Sequence, residues 1–124
     1  MEQPPPPPAS SPAASHQHLS AEFLGVPAEQ LGDGALLGGL LIAAASAAGF
    51  GPIGMPTVRK QADGGISAVL LLDAAHIVIH AVPGRQTLLF DVVTPAAHDC
   101  RKAVEVLSRR LTTRDIKTVT RGRG

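Results

Sequence analysis

The sequence predicts an α+β fold, a two-layer α/β sandwich in which an antiparallel sheet carries two helices on one face. Three observations lead there. Between residues 66 and 93 lie three β-rich runs, ISAVLLL (66–72), HIVIH (76–80) and QTLLFDVV (86–93), joined by breaks too short for a helical crossover. Asp33 is followed by a long Ala/Leu-rich stretch without a charge, closed near Gly49 or Gly51. Residues 97–111 place Ala103, Val104, Val106, Leu107 and Leu111 at helical spacing with basic side chains opposite.

In chain order, residues 1–16 (MEQPPPPPASSPAASH) hold six of the eleven prolines and almost nothing that could be buried. Proline donates no backbone hydrogen bond and favours polyproline II, so this segment reads as a disordered, solvated tail and residues 17–124 as the folded domain. HLSAEFLGV (18–26) suits a first strand ending at Pro27. Gly32-Asp33-Gly34 breaks the chain and offers Asp33 as the N-cap of the first helix. Pro52 and Pro56 punctuate a short strand reaching Lys60, and Ala62-Asp63-Gly64-Gly65 is a hairpin turn signal. Asp73-Ala74-Ala75 separates the first two β-rich runs. Pro83-Gly84 separates the second pair and suits a type II turn. After the second helix, Asp115–Thr120 is a last strand. The order is β-α-β-β-β-β-α-β.

Composition narrows the function classes. Trp and Tyr are absent and Phe occurs only at 23, 50 and 90, so the core is aliphatic and modules that stack bases on aromatic platforms are disfavoured. The lone cysteine, Cys100, excludes an internal disulfide and a cysteine-based zinc cluster, and a reducing cytoplasm is the expected home. No basic n-region followed by an apolar run marks a signal peptide. The most apolar stretch, residues 36–50, is shorter than the roughly 20 residues that cross a bilayer, and a buried helix is expected rather than a membrane contact. The net charge of +1 hides an imbalance, because eight basic and two acidic side chains lie in residues 101–124 against three and eight before them. That basic end reads as a solvated helix face and a frayed terminus, or as a surface for an anion or nucleic acid.

Two histidines stand out. His76 and His80 are an even number of residues apart on a β-rich run, hence on one face with Val78 and Val82. A metal site would need a third ligand from His98, Asp91 or Asp99, and the segment lacks the pattern of a helical zinc site, so no metal is assigned.

Ser67, His76, His80 and the strand order resemble the small prokaryotic type of S-adenosylmethionine decarboxylase, the pyruvoyl enzyme of spermidine synthesis. The likeness covers residues 17–124. His18-Leu19-Ser20-Ala21-Glu22-Phe23 is similar to the family's opening strand, a His-Leu-x-Ala-Glu/Asp-aromatic pattern. Gly65-Ile66-Ser67-Ala68 resembles its Gly-Val-Ser-Gly, and His76-Ile77-Val78-Ile79-His80 with Pro83 its His-Ile-x-Ile-His-Thr-Trp-Pro-Glu. Phe90-Asp91-Val92-Val93-Thr94 follows its Ile-Asp-Leu-Phe-Thr-Cys-Gly, and Lys102-Ala103-Val104-Glu105-Val106-Leu107 falls on its second helix.

The resemblance implies a set of functional positions, and this sequence departs from most of them. In the family a Glu-Ser dipeptide precedes the first His; the Ser hydroxyl attacks the carbonyl before it, and the chain breaks to leave a pyruvoyl group that serves as the cofactor. Here the dipeptide is Ala74-Ala75, so no pyruvoyl is expected and no other cofactor is implied. The family's catalytic Cys falls on Pro95, its ribose-binding Glu on Gly84, and its adenine-stacking Phe on or near Gln61, while His76 keeps a ligand-side position. Ser67 and His80 match the residues used in self-processing. Three readings follow. The favoured one is a catalytically silent member, a binding or regulatory partner tied to polyamine synthesis, as a homodimer or paired with an active paralogue. The others are an active decarboxylase of S-adenosylmethionine or a related amino acid, and a binder of an anionic partner or nucleic acid through the basic C-terminal region. A dimer is also expected because both alternating faces of 66–72 and 76–80 are largely apolar.

Overall fold

The computed structural model of the chain describes residues 14–51 and 53–124. The elements are β1 (His16–Leu24), α1 (Ala28–Leu31), α2 (Gly34–Ala47), β2 (Thr57–Lys60), β3 (Ile66–Leu72), β4 (Ala75–Val82), β5 (Thr87–Pro95), α3 (Arg101–Arg110) and β6 (Asp115–Arg123). The six strands form one sheet in the order β2-β3-β4-β5-β1-β6, antiparallel throughout. The central meander β3-β4-β5 is the part that alternation and turn residues specify most directly. The first strand instead inserts between β5 and β6, a placement set by long-range pairing.

Period-two alternation sorts the side chains of the sheet. Leu19, Ala21 and Phe23 of β1, Ala68 and Leu70 of β3, Ile77, Ile79 and Ala81 of β4, and Leu88, Phe90 and Val92 of β5 all face the helices and are buried. The only two large rings in that core, Phe23 and Phe90, meet edge to face with centroids 6.1 Å apart. Helix α2 covers this layer with Leu37, Leu40, Leu41, Ala44 and Ala45, and its N-terminus is capped as the sequence predicts, Leu36 N–H donating to Asp33 Oδ1 at 3.0 Å. Helix α3 lies beside α2 and adds Ala103 and Leu107. The two long helices therefore sit on one face, and among the described residues the other face of the sheet has no helix.

Several boundaries and turns differ from expectation. The first strand begins at His16, inside the segment assigned to the tail; the rest of that segment, and Pro52, lie outside the described residues. A one-turn helix, α1, follows Pro27. The second helix begins at Arg101 rather than 97, because residues 96–99 turn the chain off the end of β5. Pro83-Gly84 does not form a type II turn: Pro83–Arg85 is a single 3-10 turn, closed by Gln86 at φ +49°. The proline ring packs where Gly65 has no side chain, since a Cβ there would lie 2.8 Å from Pro83 Cδ. The last strand runs to Arg123, so the basic terminus is not frayed; it pairs with β1 over nine residues.

Candidate functional site

The β3–β4 hairpin and the residues flanking it hold the positions that the sequence singled out, and the register divides them between its two ends. Ser67 pairs with His80 and Leu72 with Ala75, five steps apart along the strands. At about 3.3 Å per residue the two ends are roughly 16 Å apart.

At the end near β2, Ser67 Oγ and His80 Nδ1 lie 2.8 Å apart, and Gln61 Nε2 donates to the same Ser67 oxygen. The turn that brings Gln61 here is the predicted hairpin: Asp63 Oδ1 accepts from Gly65 N–H at 2.9 Å, and Gly64 takes φ +86°. A shallow cavity of about 220 Å³ lies over the pair, lined by Thr57, Arg59, Ser67, Val69, Val78 and His80. Gly84, beyond the far end of β4, contributes no side chain.

At the other end the backbone turns through Asp73 and Ala74. Ala74 holds φ +54°, a left-handed conformation that costs a residue with a Cβ about 1 kcal/mol or more. Its carbonyl accepts a hydrogen bond from His16 Nε2 at 3.0 Å, and His16 Nδ1 lies 2.8 Å from Ser15 Oγ. Ala75 is buried and faces the helices. Pro95 pairs with His16. Thr94 is fully buried and its hydroxyl has no partner among the described residues. Since His76 pairs with Val93, Thr94 stands one step on, level with Ala75, where a hydroxyl is missing.

Between the two ends, beyond β4, a polar cluster occupies the helix-free face. His18 Nε2–H donates to Asp91 Oδ1 at 3.1 Å, Ser20 Oγ–H donates to the same oxygen at 2.9 Å, and Arg121 Nη2 approaches His18 Nδ1 at 3.4 Å. The sequence reading missed His16 and this cluster as units. His16, His18 and Ser20 alternate on one strand, which was legible; that Asp91, over 70 residues later, stands across from Ser20 was not. Asp91 and His98, considered as metal ligands, do not converge with His76 and His80. His98 stacks on Phe50 with centroids 3.9 Å apart and donates from Nδ1 to the Ala48 carbonyl at 2.8 Å. Among the described residues no three of His, Cys, Asp and Glu gather as a metal-binding group.

Cys100 lies near the Ala75 end, on the helix side of the sheet: Gln17, to which it donates, pairs with Thr94. It immediately precedes α3, is buried, and donates to Gln17 Oε1 at 3.2 Å. Burial raises its thiol pKa above the ordinary value, so the thiolate is disfavoured.

The model of the S-adenosylmethionine decarboxylase family matches residues 17–124. The chain belongs to this family. An arginine decarboxylase proenzyme of Aeropyrum pernix is 31% identical over 98 residues, 77% of this chain and 74% of that protein. The crystal structure of an adenosylmethionine decarboxylase from Aquifex aeolicus superposes with a TM-score of 0.78 at 24% identity, covering 90% of this chain and 92% of that one. This decarboxylase-family chain thus shares the sandwich and its strand order, while its two relatives carry different substrate names. No helix among its described residues is long and apolar enough to cross a membrane.

Proposed function

We propose that this protein is a catalytically silent member of the S-adenosylmethionine decarboxylase family that acts as a binding or regulatory partner in polyamine synthesis, in a reducing cytoplasm. The observation that carries the reading is Ala75. The family's pyruvoyl cofactor arises from a side-chain hydroxyl at this position, and a methyl group supplies none. The residues present do not fit the group, because Ala74-Ala75 supplies neither the hydroxyl nor the carboxylate of the family's dipeptide. Pro95 carries no proton for a decarboxylation step, and Gly84 and Gln61 lack the side chains that would hold a ribose and an adenine.

The protein acts as a dimer, with itself or with an active paralogue. Ser67 and His80 stand roughly 16 Å from Ala75 on one hairpin, too far to touch it. A second copy laid antiparallel on the helix-free face brings one chain's Ser67–His80 end to the other's Ala75 end. That face also exposes Leu71 at 80% and Val69 at 39%, apolar surface that a partner would cover.

Intact mass and released carbon dioxide test this reading. A single full-length species with no carbon dioxide above background, from either S-adenosylmethionine or arginine, is the expected result. Two fragments that meet at residue 75, or turnover of either substrate, establish the competing reading of an active decarboxylase.

A further inference from the structure

We propose that the free edge of β6 is a docking site for an extended acidic peptide of another protein, which adds to the sheet as a seventh strand. The argument starts from backbone. Among the described residues, β6 is the outermost strand and pairs only with β1. Gln61 N–H donates to the Gly65 carbonyl at 2.8 Å, which fixes the hydrogen-bonded phase of the β2–β3 pair. Carried across the registers of all five strand pairs, that phase turns the peptide groups of Lys117, Val119 and Arg121 toward β1 and those of Thr118, Thr120 and Gly122 outward. A nine-residue edge with unpaired donors and acceptors is a template for another strand.

Side chains select the occupant. Lys117, Val119, Arg121 and Arg123 all project on the helix-free face, and Val119 is 67% exposed. Basic residues along an edge guard against pairing between copies, and they do so here: two β6 strands centred on Val119 would set Lys117 against Arg121. That guard is one of charge, so it repels like and admits opposite. A strand with Asp or Glu across from Lys117 and Arg121, and an apolar residue across from Val119, meets them in the narrow non-hydrogen-bonded pairs, where cross-strand side chains are closest. On the opposite face Thr120 lines a cavity of about 350 Å³ with Gln17, His98, Asp99 and Arg101, which gives an alternate side chain of the added strand a place to go. Nucleic acid fits less well. Phosphates only accept hydrogen bonds and would leave the outward carbonyls of Thr118 and Thr120 unpaired, and no Tyr or Trp is available for base stacking.

The test uses the full chain and a fluorescent peptide, Thr-Glu-Thr-Ile-Thr-Glu-Thr, followed by anisotropy. Saturable binding is expected, weakened roughly tenfold as salt is raised from about 0.05 to 0.5 M. Thr118→Pro removes one outward N–H and no bond to β1, a change that edge strands tolerate, and it should abolish binding. K117E/R121E should lose the Glu peptide and gain its Lys counterpart, which also shows that the sheet remains folded. Equal binding by Thr118→Pro, or by the peptide with a central Pro, overturns strand addition. Tighter binding of a 20-nucleotide single strand than of the peptide overturns the choice of partner in favour of nucleic acid. Self-association abolished by Thr118→Pro overturns it in favour of a second copy.

Discussion

The two ends of the β3–β4 hairpin are built in opposite ways. The end at Gln61, Ser67 and His80 keeps a closed set of hydrogen bonds between side chains. The end at Ala74, Ala75 and Pro95 has no reactive side chain, yet its backbone is the more constrained: Ala74 sits at positive φ and its carbonyl is held by His16. Side-chain chemistry changes with a single residue, whereas a turn conformation is tied to the register of two strands. Ala74 is the second residue of a two-residue connection between Leu72 and Ala75.

The comparison breaks most completely if the missing groups are returned. In A74E/A75S, the serine stands after a strained residue whose carbonyl already accepts a hydrogen bond, so slow self-cleavage before residue 75 is expected, read as two fragments on a gel. Decarboxylation should not follow, because Pro95 is unchanged. Adding S67A to that variant should stop cleavage, and mixing the triple variant with unmodified chain should restore it. Restoration is the signature of helpers supplied across a dimer; no restoration in a mixed dimer would place the helpers elsewhere.

Both ends hang on the buried side chains between them. Ile77 is fully buried on the helix side of β4, and Ile77→Ala should cost about 2–5 kcal/mol, measured by denaturant unfolding. If the two ends are independent local structures, the Ser67–His80 pair should instead survive a loss of this size unchanged by histidine NMR shifts. A smaller effect of opposite sign is expected at the strained turn: Ala74→Gly relieves the positive φ and should stabilise the fold by about 1 kcal/mol, seen as a raised thermal midpoint. An unchanged midpoint would mean that His16, rather than backbone geometry, sets the turn.

The smallest effect lies outside the hairpin, at Cys100. Its folded pKa is raised by burial, so the unfolded chain releases the thiol proton first. The stability it contributes is fully present below the ordinary thiol pKa and is lost as pH rises through the folded value. The midpoint of the parent should therefore fall more steeply above about pH 9 than that of Cys100→Ala. Parallel pH profiles would contradict the burial of this thiol.

Much of the fold was legible because local patterns and global structure agree. Alternation in 66–72, 76–80 and 86–93 defined three strands whose neighbours in sequence are neighbours in space, and Asp33 marked a helix start that the cap confirms. The candidate positions Ser67 and His80 could be read as one face of two strands, and their bond to each other follows from a register that the short Asp73-Ala74 turn fixes. What local pattern could not supply was the pairing across the hairpin. The predicted turn at Asp73-Ala74-Ala75 already set Ala75 and His80 apart; that Ser67 stands directly across from His80 came only with the strand register.

By itself, then, the sequence determined the identity of most elements, the single core and the absence of a hydroxyl at 75, all properties of individual side chains or of neighbours within a few residues. Only the tertiary structure decided where β1 goes. Its insertion between β5 and β6 brings His16 to the Ala74 carbonyl and Ser20 and His18 to Asp91, and it makes β6 an edge. The physical reason is that strand pairing satisfies backbone groups that are the same in every residue, so the choice of partner rests on burial of whole faces across the sheet and not on any motif.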